Sequence, residues 1–241
     1  MNKPLLDPAI EDKAQYVNCI FSGIAQRYDL TNHLLTFGLV RNWYRLLASL
    51  VVLPPRGRAL DVGTGTGRIA LALAQANPES HVIGLDFCPE MMAIAQRRIK
   101  VSGLGARIEL TVGDALDLPF LDDAFHCVTT GFVLRNVVDK GRAIAEMRRV
   151  VMPGGRVVCL ELNNPQLPLL RYIHRLYLHR IVPLVGGAFT GQKWAYRYLI
   201  YSLNHFPSPE ELKGMMEMVG LREVNYKMLS GGIVVVHVGV K

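Results

Sequence analysis

With 241 residues, half of them hydrophobic and a fifth charged, the chain has the size and apolar content to bury one ordinary globular core. Its longest apolar runs, such as IVVVHV near the C-terminus, fall far short of the roughly 18 residues that span a bilayer, which argues against an integral membrane protein. A net charge of +7 is compatible with nucleic acid, anionic lipid or a merely basic surface, yet no basic tract with interleaved aromatics is present, so no nucleic-acid partner is expected.

The N-terminus MNKPLLDPAIEDKAQYV has no apolar h-region and mixes acids with bases, so no leader is visible and a cytoplasmic location follows. Residues 1–57 read as a helical cap. From residue 58 short apolar runs alternate with helical-period segments, the pattern of a parallel sheet wound with crossover helices. The strands are RALDVG, HVIGLD, IELTVG, AFHCVTTGFVL and RVVCLEL, separated by GRIALALAQA, PEMMAIAQRRIK and DKGRAIAEMRRVV. Residues 58–162 therefore form a core, and residues 163–207 a helical, aromatic-rich insertion. Residues 208–241 add a helix starting near Ser208 and two strands joined at Ser230-Gly231-Gly232 as an antiparallel hairpin. The expectation is one α/β domain with a Rossmann-like, about seven-stranded and mostly parallel sheet, carrying an antiparallel strand near its edge. Cys19, Cys88, Cys127 and Cys159 form no C-x-x-C pair and are read as reduced and buried. No pair of histidines has a metal-like context, so no metal is required.

The first strand runs through Asp61-Val62-Gly63-Thr64-Gly65-Thr66-Gly67 straight into a helix. Alternating glycines let backbone approach a ligand, and the helix N-terminus adds N–H donors. Arg68 stands where a dinucleotide loop would place its last glycine, and no second mononucleotide half follows, so a smaller ligand fits better. Asp86 ends the second strand, where a carboxylate can accept both ribose hydroxyls. Asp114-Ala115 follows the third, where it would meet an adenine edge or merely make a turn.

The order DVGTGTG, GLD, GDA, a fourth-strand tip and MPGGRVV resembles the class I S-adenosylmethionine-dependent methyltransferases. That resemblance implies that Asp61, Gly63, Gly65, Thr66 and Gly67 surround the methionine part of the cofactor, with Asp86 on ribose, Asp114 and Ala115 near adenine, and Gly131 beside it on the fourth strand. Over almost the whole chain, QRYDLTNHLLTFGLVRNW, FVLRNV, AYRYLIYSLNHFPSPEEL and SGGIVVVHVGVK are similar to the ubiquinone/menaquinone biosynthesis C-methyltransferase family. The resemblance implies methylation of a ring carbon of a prenylated hydroquinone, with demethylmenaquinol as the leading acceptor. The chain departs from the family pattern at Thr31, Val40, Gly131 and Val133. Another phenolic or isoprenoid acceptor, methylated on carbon or oxygen, is the alternative.

A ring carbon attacks a sulfonium methyl when the neighbouring phenol, which titrates near pH ~10, gives up its proton. Arginine is no base, but its fixed charge steadies a phenolate. Arg135 and Asn136 are therefore expected beside the acceptor ring, with Tyr28 completing the catalytic set and His205 and Tyr198 binding the acceptor. The plainer alternative is that Arg135 pairs with Asp29, Asp139 or Glu161 while Asn136 caps the helix near Asp139.

In PQLPLLRYIHRLYLHRIVPLVG, a helical projection gathers Leu169, Leu170, Ile173, Leu176, Tyr177 and Ile181 on one side and most of the bases, Arg171, His174, Arg175, His179 and Arg180, opposite. A basic amphipathic lid of this kind would attract an anionic membrane surface while admitting a lipid tail. Peripheral membrane association is thus expected, and a homodimer is compatible with the sequence.

Overall fold

The computed structural model describes residues 13–241, so the reading of the first twelve residues as free of a leader lies outside the described residues. The prefix forms α1 (Lys13–Leu35) and α2 (Val40–Ser49). Helix α1 buries Val17, Ile20 and Ile24, spaced three and four residues apart as one helical face requires. The turn between α1 and α2 passes through Phe37 and Gly38, both at positive φ (50° and 79°).

The core then alternates β1 (Arg58–Val62), α3 (Arg68–Ala76), β2 (His81–Asp86), α4 (Pro89–Ser102), β3 (Ile108–Val112), β4 (Phe125–Gly131), α5 (Lys140–Val150) and β5 (Val151–Leu162). After the insertion come α9 (Pro209–Met218), β6 (Arg222–Leu229) and β7 (Val234–Val240). Ser208 caps α9 in a capping box with Glu211, as the sequence pattern predicts. The sheet order is β3-β2-β1-β4-β5-β7-β6. All neighbours from β3 to β5 are parallel, and β7 is antiparallel to both β5 and β6. The antiparallel strand therefore lies one place in from the edge.

The chain winds outward from β1 toward β3 on one side and from β4 toward β6 on the other. The crevice at the carboxyl ends of β1 and β4 is thus the switch point where open α/β sheets bind ligands. One face of the sheet packs Leu60, Val62 and Val128 against Ile144, Met147, Leu212 and Met216. The other buries Val82 and Val158 with Leu47, Ala70 and Leu73. A third cluster joins α1 to the insertion through Val17, Ile20, Val182, Tyr196 and Leu203.

Two expectations change here. Strand β4 stops at Gly131 instead of running to Leu134, because Phe132 adopts φ 63° and turns the chain out of the sheet. The insertion is helical, as expected, and made of several pieces. It comprises α6 (Pro168–Leu176), a π-turn over Tyr177–Ile181, α7 (Val182–Thr190) and α8 (Lys193–Asn204). Its inward face is Leu170, His174, Leu178 and Val182, four residues apart, whereas Leu169, Ile173, Leu176 and Ile181 remain exposed. His174, expected on the basic side, is buried. Cys88, Cys127 and Cys159 are buried, while Cys19 is exposed on α1. No helix among the described residues is long and apolar enough to cross a membrane.

Candidate active site

Two cavities open at the carboxyl ends of the strands. The first, about 160 Å³, is walled by Gly63, Gly65, Asp86, Asp114, Ala115 and Gly131, six of the residues expected to hold the cofactor, and roofed by Val17, Phe21 and Tyr28 of α1. Gly63 and Gly65 take φ of 68° and 53°. A Cβ built on Gly65 would meet nothing nearer than 4.0 Å, so the backbone leaves a cradle that a side chain would fill. The Asp86 carboxylate accepts from the Gly65 N–H at 2.7 Å and the Cys88 N–H at 2.9 Å, which fixes it at the cavity edge. Burial raises its pKa, against these backbone donors. Asp114 makes the turn that its alternative reading anticipated, accepting from Leu116 N–H at 2.9 Å, and also lines the cavity. These features fit S-adenosylmethionine: an open backbone cradle, and carboxylates placed for hydroxyl and amino groups.

Three other expected residues do not line this cavity. Asp61 is fully buried beneath the loop, accepting from the Thr64 and Thr129 hydroxyls at 2.7 and 2.9 Å, so it orders the glycine turn from behind. Burial pushes its pKa to about 7, although both hydroxyls oppose the shift. Thr66 donates to Asp29 at 2.9 Å and so ties the loop to α1. Gly67 packs where a Cβ would lie 3.1 Å from Ala95, on the helix side of the loop.

The second cavity, about 340 Å³, lies between α1, α2, the turn after β4, and the insertion. Its wall is mostly apolar and aromatic, and among the described residues Arg135 is its only Arg, Lys, Asp or Glu. Phe21, Tyr28, Phe132 and Asn136 line both cavities, so the two chambers meet across these four residues. Phe132 packs edge-on against Trp43 and Tyr44, at 6.3 and 6.2 Å between ring centroids, and Arg135 lies over its ring at 5.7 Å.

Arg135 is buried and donates from Nη1 to Glu161 Oε2 at 2.8 Å, one of the partners in the plainer reading. Burial raises the Glu161 pKa and the Arg135 charge opposes it. The pairing does not exhaust the guanidinium, because the Arg135 Nε–H is buried without a partner among the described residues. Tyr198, also on the wall, has a buried hydroxyl without a partner among the described residues, and its pKa is pushed to about 12 by burial. Asn136 does not cap a helix. It donates to the Phe132 carbonyl at 3.2 Å, while Asp139 caps α5. Burial raises the Tyr28 hydroxyl, and the Arg135 charge pulls it back.

His205 is the correction among the expected acceptor residues. It is exposed, lines neither cavity, and terminates α8 with its ring against Tyr201 at 4.2 Å. The helix ends there, one turn beyond Tyr201, so the ring is carried away from the cavity. Conversely, sequence reasoning passed over Phe21, Asn32, Tyr44, Phe132 and His174 as wall residues. Of these, Phe132 lies within the fourth-strand motif, Asn32 within QRYDLTNHLLTFGLVRNW and His174 within the basic amphipathic stretch; that they share one wall follows only from how their elements meet in space.

Comparison with known proteins matches this geometry. The ubiE/COQ5 methyltransferase family model matches residues 9–241. A demethylmenaquinone methyltransferase of Roseiflexus castenholzii is 43% identical over 241 residues, covering 100% of this chain and 99% of the relative. One from Thermus thermophilus is 44% identical over 220 residues, with 91% and 99% covered. A ubiquinone/menaquinone biosynthesis C-methyltransferase of Geobacter sp. strain M21 is 41% identical, with 97% and 99% covered. Among solved structures, a SAM-dependent methyltransferase from Thermotoga maritima superposes with a TM-score of 0.65 at 21% identity, covering 92% of this chain and 98% of that one, which establishes the fold alone. With a full-length family match and a cofactor cavity at the sheet's switch point, the chain belongs to the ubiE/COQ5 methyltransferase family and has the class I S-adenosylmethionine-dependent methyltransferase fold.

Proposed function

We propose that the protein methylates a ring carbon of a prenylated hydroquinone, with demethylmenaquinol as the acceptor. The observation that carries this reading is the pair of buried donors, Arg135 Nε–H and Tyr198 O–H, left without a partner among the described residues in a mostly apolar cavity that adjoins the cofactor chamber. A buried donor left unmade is unfavourable by about 1–3 kcal/mol, and a ligand oxygen relieves it. A hydroquinone ring brings such oxygens, and its tail suits the apolar wall at about 0.8 kcal/mol per buried CH₂. The names of the Roseiflexus and Thermus relatives point to the same acceptor.

In this reading Gly63, Gly65, Asp86, Asp114, Ala115 and Gly131 hold S-adenosylmethionine, which supplies an electrophilic methyl group when bound. Arg135 steadies the ring oxygen as it loses its proton; each unit by which the phenol pKa falls corresponds to about 1.4 kcal/mol. Its Glu161 partner keeps the guanidinium fixed in direction. Asn136 and Tyr28, at the junction of the two chambers, hold the ring with its reacting carbon toward the cofactor side. Phe21 and Phe132 keep water from the junction.

The mouth of the apolar cavity supports a membrane-borne acceptor. Phe37, Leu39 and Ile173 line the cavity and are also 83%, 42% and 53% exposed, and Leu169 and Leu176 extend the apolar rim. The Tyr177 hydroxyl donates to the Leu35 carbonyl at 2.7 Å and its ring lies 6.2 Å from Phe37, joining the insertion to α1 at this mouth. Arg175, His179 and Arg180 flank the rim and are exposed, which suits a peripheral contact with an anionic bilayer. Arg171 instead donates to the Pro165 and Gln166 carbonyls.

Incubation with methyl-labelled S-adenosylmethionine and reduced demethylmenaquinol, followed by mass spectrometry of the lipid, tests the assignment. Label on a ring carbon is expected. Label on oxygen, or none on this quinol but some on another phenol, would overturn it.

A further inference from the structure

A third concavity lies on the far side of the α1–α2 wall. This cleft, of about 420 Å³, is bounded by α1, α2, the start of α3, and α4, and it gathers Arg41, Arg68, Arg97 and Arg98 around a single carboxylate, Asp29. Four guanidinium groups against one carboxylate leave three positive charges on one concave surface. Asp29 is already committed: it accepts from the Thr66 hydroxyl and pairs with Arg98 and, at 3.4 Å, with Arg68. Arg98 also donates to the Thr66 carbonyl. These two arginines brace the glycine loop. Arg41 and Arg97 differ from them: both are exposed, and neither side chain makes an ion pair or hydrogen bond among the described residues.

The cleft and the apolar cavity stand back to back, since Asn32, Val40 and Tyr44 line both. On the outer surface, Leu30 at the cleft edge is 52% exposed and Leu34, one turn along α1, is 39% exposed, leading toward Phe37 at the cavity mouth. A ligand suited to this surface carries a compact anion with several acceptor oxygens beside an apolar chain. Planar guanidinium groups match the oxygens of a phosphate.

We propose that the Arg41–Arg97 cleft binds the phosphate of an anionic phospholipid headgroup, whose acyl region lies along Leu30 and Leu34 and sets the quinol-cavity mouth against the bilayer. The proposal rests on the reading of the protein as peripheral to a membrane and locates one headgroup site for it. The site is separate from Arg175 and Arg180 on the insertion.

The test compares full-length wild type with Arg41→Gln/Arg97→Gln and with Arg175→Gln/Arg180→Gln. Vesicles of phosphatidylcholine with and without phosphatidylglycerol, inorganic phosphate and glycerol 1-phosphate serve as probes, and methyl transfer to a short-tail demethylmenaquinol in solution is the control. At roughly 1 kcal/mol per basic residue near a charged surface, the Arg41/Arg97 variant is expected to lose about 30-fold in partitioning to phosphatidylglycerol vesicles. Its thermal midpoint and short-tail turnover stay at the wild-type value, and glycerol 1-phosphate competes for the wild type more than for the variant. Unchanged vesicle binding by the Arg41/Arg97 variant overturns the proposal, as does a loss confined to the Arg175/Arg180 variant. Tight binding of inorganic phosphate with no effect of Arg41 and Arg97 on vesicle binding would assign the cleft to a soluble anion and overturn the lipid. Loss of short-tail turnover in the wild type would instead strike the quinol reading, independently of these arms.

Discussion

Arg135 and Glu161 form a buried ion pair, Nη1 to Oε2 at 2.8 Å, in which Arg135 faces the apolar cavity and Glu161 does not line it. Removing one member of such a pair strands the other charge, at about 3–5 kcal/mol, whereas replacing both with apolar groups is often neutral. Arg135→Ala should therefore lose both stability and turnover. The pair Arg135→Met with Glu161→Leu should recover the thermal midpoint but not turnover, with cofactor affinity by calorimetry close to wild type. Recovery of turnover in the paired variant would assign Arg135 a purely structural role.

Tyr198 separates binding from folding. Its hydroxyl has no partner among the described residues, so Tyr198→Phe should leave stability unchanged or raise it by about 1 kcal/mol. If the hydroxyl meets a quinol oxygen, KM for the acceptor rises about tenfold. His205→Ala, outside the cavity, should change neither quantity.

Val133, one of the departures named in the sequence, packs on the glycine loop. A Cβ on Gly63 would fall 2.3 Å from Val133 Cγ2, and Gly63 also holds φ of 68°. Gly63→Ala should weaken S-adenosylmethionine binding by roughly tenfold or more, through strain of about 1–3 kcal/mol. Adding Val133→Gly removes the clash but not the backbone strain, so titration calorimetry should register only partial rescue.

Asp61 makes a signed prediction about pH. Its carboxyl is raised by burial to about 7 in the folded protein, from an ordinary 3.8. The folded state therefore holds the proton more tightly, and this contribution to stability is full below about pH 4 and lost as pH rises through about 7, at about 1.4 kcal/mol per unit. Asp61→Asn should flatten that decline, so that its thermal midpoint gains on wild type between pH 5 and 8. Parallel melting curves for the two proteins across this window would contradict the buried-carboxyl account.

The exposed rim predicts a difference between acceptors. Leu169 and Leu176 are 73% and 50% exposed and do not line the cavity. Leu169→Ser with Leu176→Ser should lower vesicle binding at least tenfold, since full burial of a leucine is worth roughly 1.5–3 kcal/mol. Turnover of a vesicle-borne long-tail quinol should fall with it, and turnover of a soluble short-tail quinol should not.

Much of the architecture was legible because its signals are local. The strand–helix alternation, the capping box at Ser208 and the glycine loop are each specified by residues within one turn or strand. The carboxylates at the tips of β2 and β3 follow directly from that alternation, since the ends of neighbouring parallel strands share one edge. The end of β4 was not legible, because an apolar run cannot reveal that Phe132 takes positive φ. The buried side of α6 was not legible either. Periodicity locates an apolar stripe, but the partner elements decide which side is buried, and here the 170/174/178/182 side meets the core.

The site divides along the same line. The sequence by itself determined the cofactor loop, its acidic companions and the presence of Arg135 and Asn136 after the fourth strand, because short-range backbone geometry and residue chemistry suffice for these. Only the tertiary structure decided that Asp61 lies behind the loop, that Glu161 holds Arg135, and that Tyr198 but not His205 reaches the apolar cavity. Those outcomes depend on residues far from Arg135 in the chain meeting it across α1, β5 and α8, and close packing, not local propensity, selects which of them share a wall.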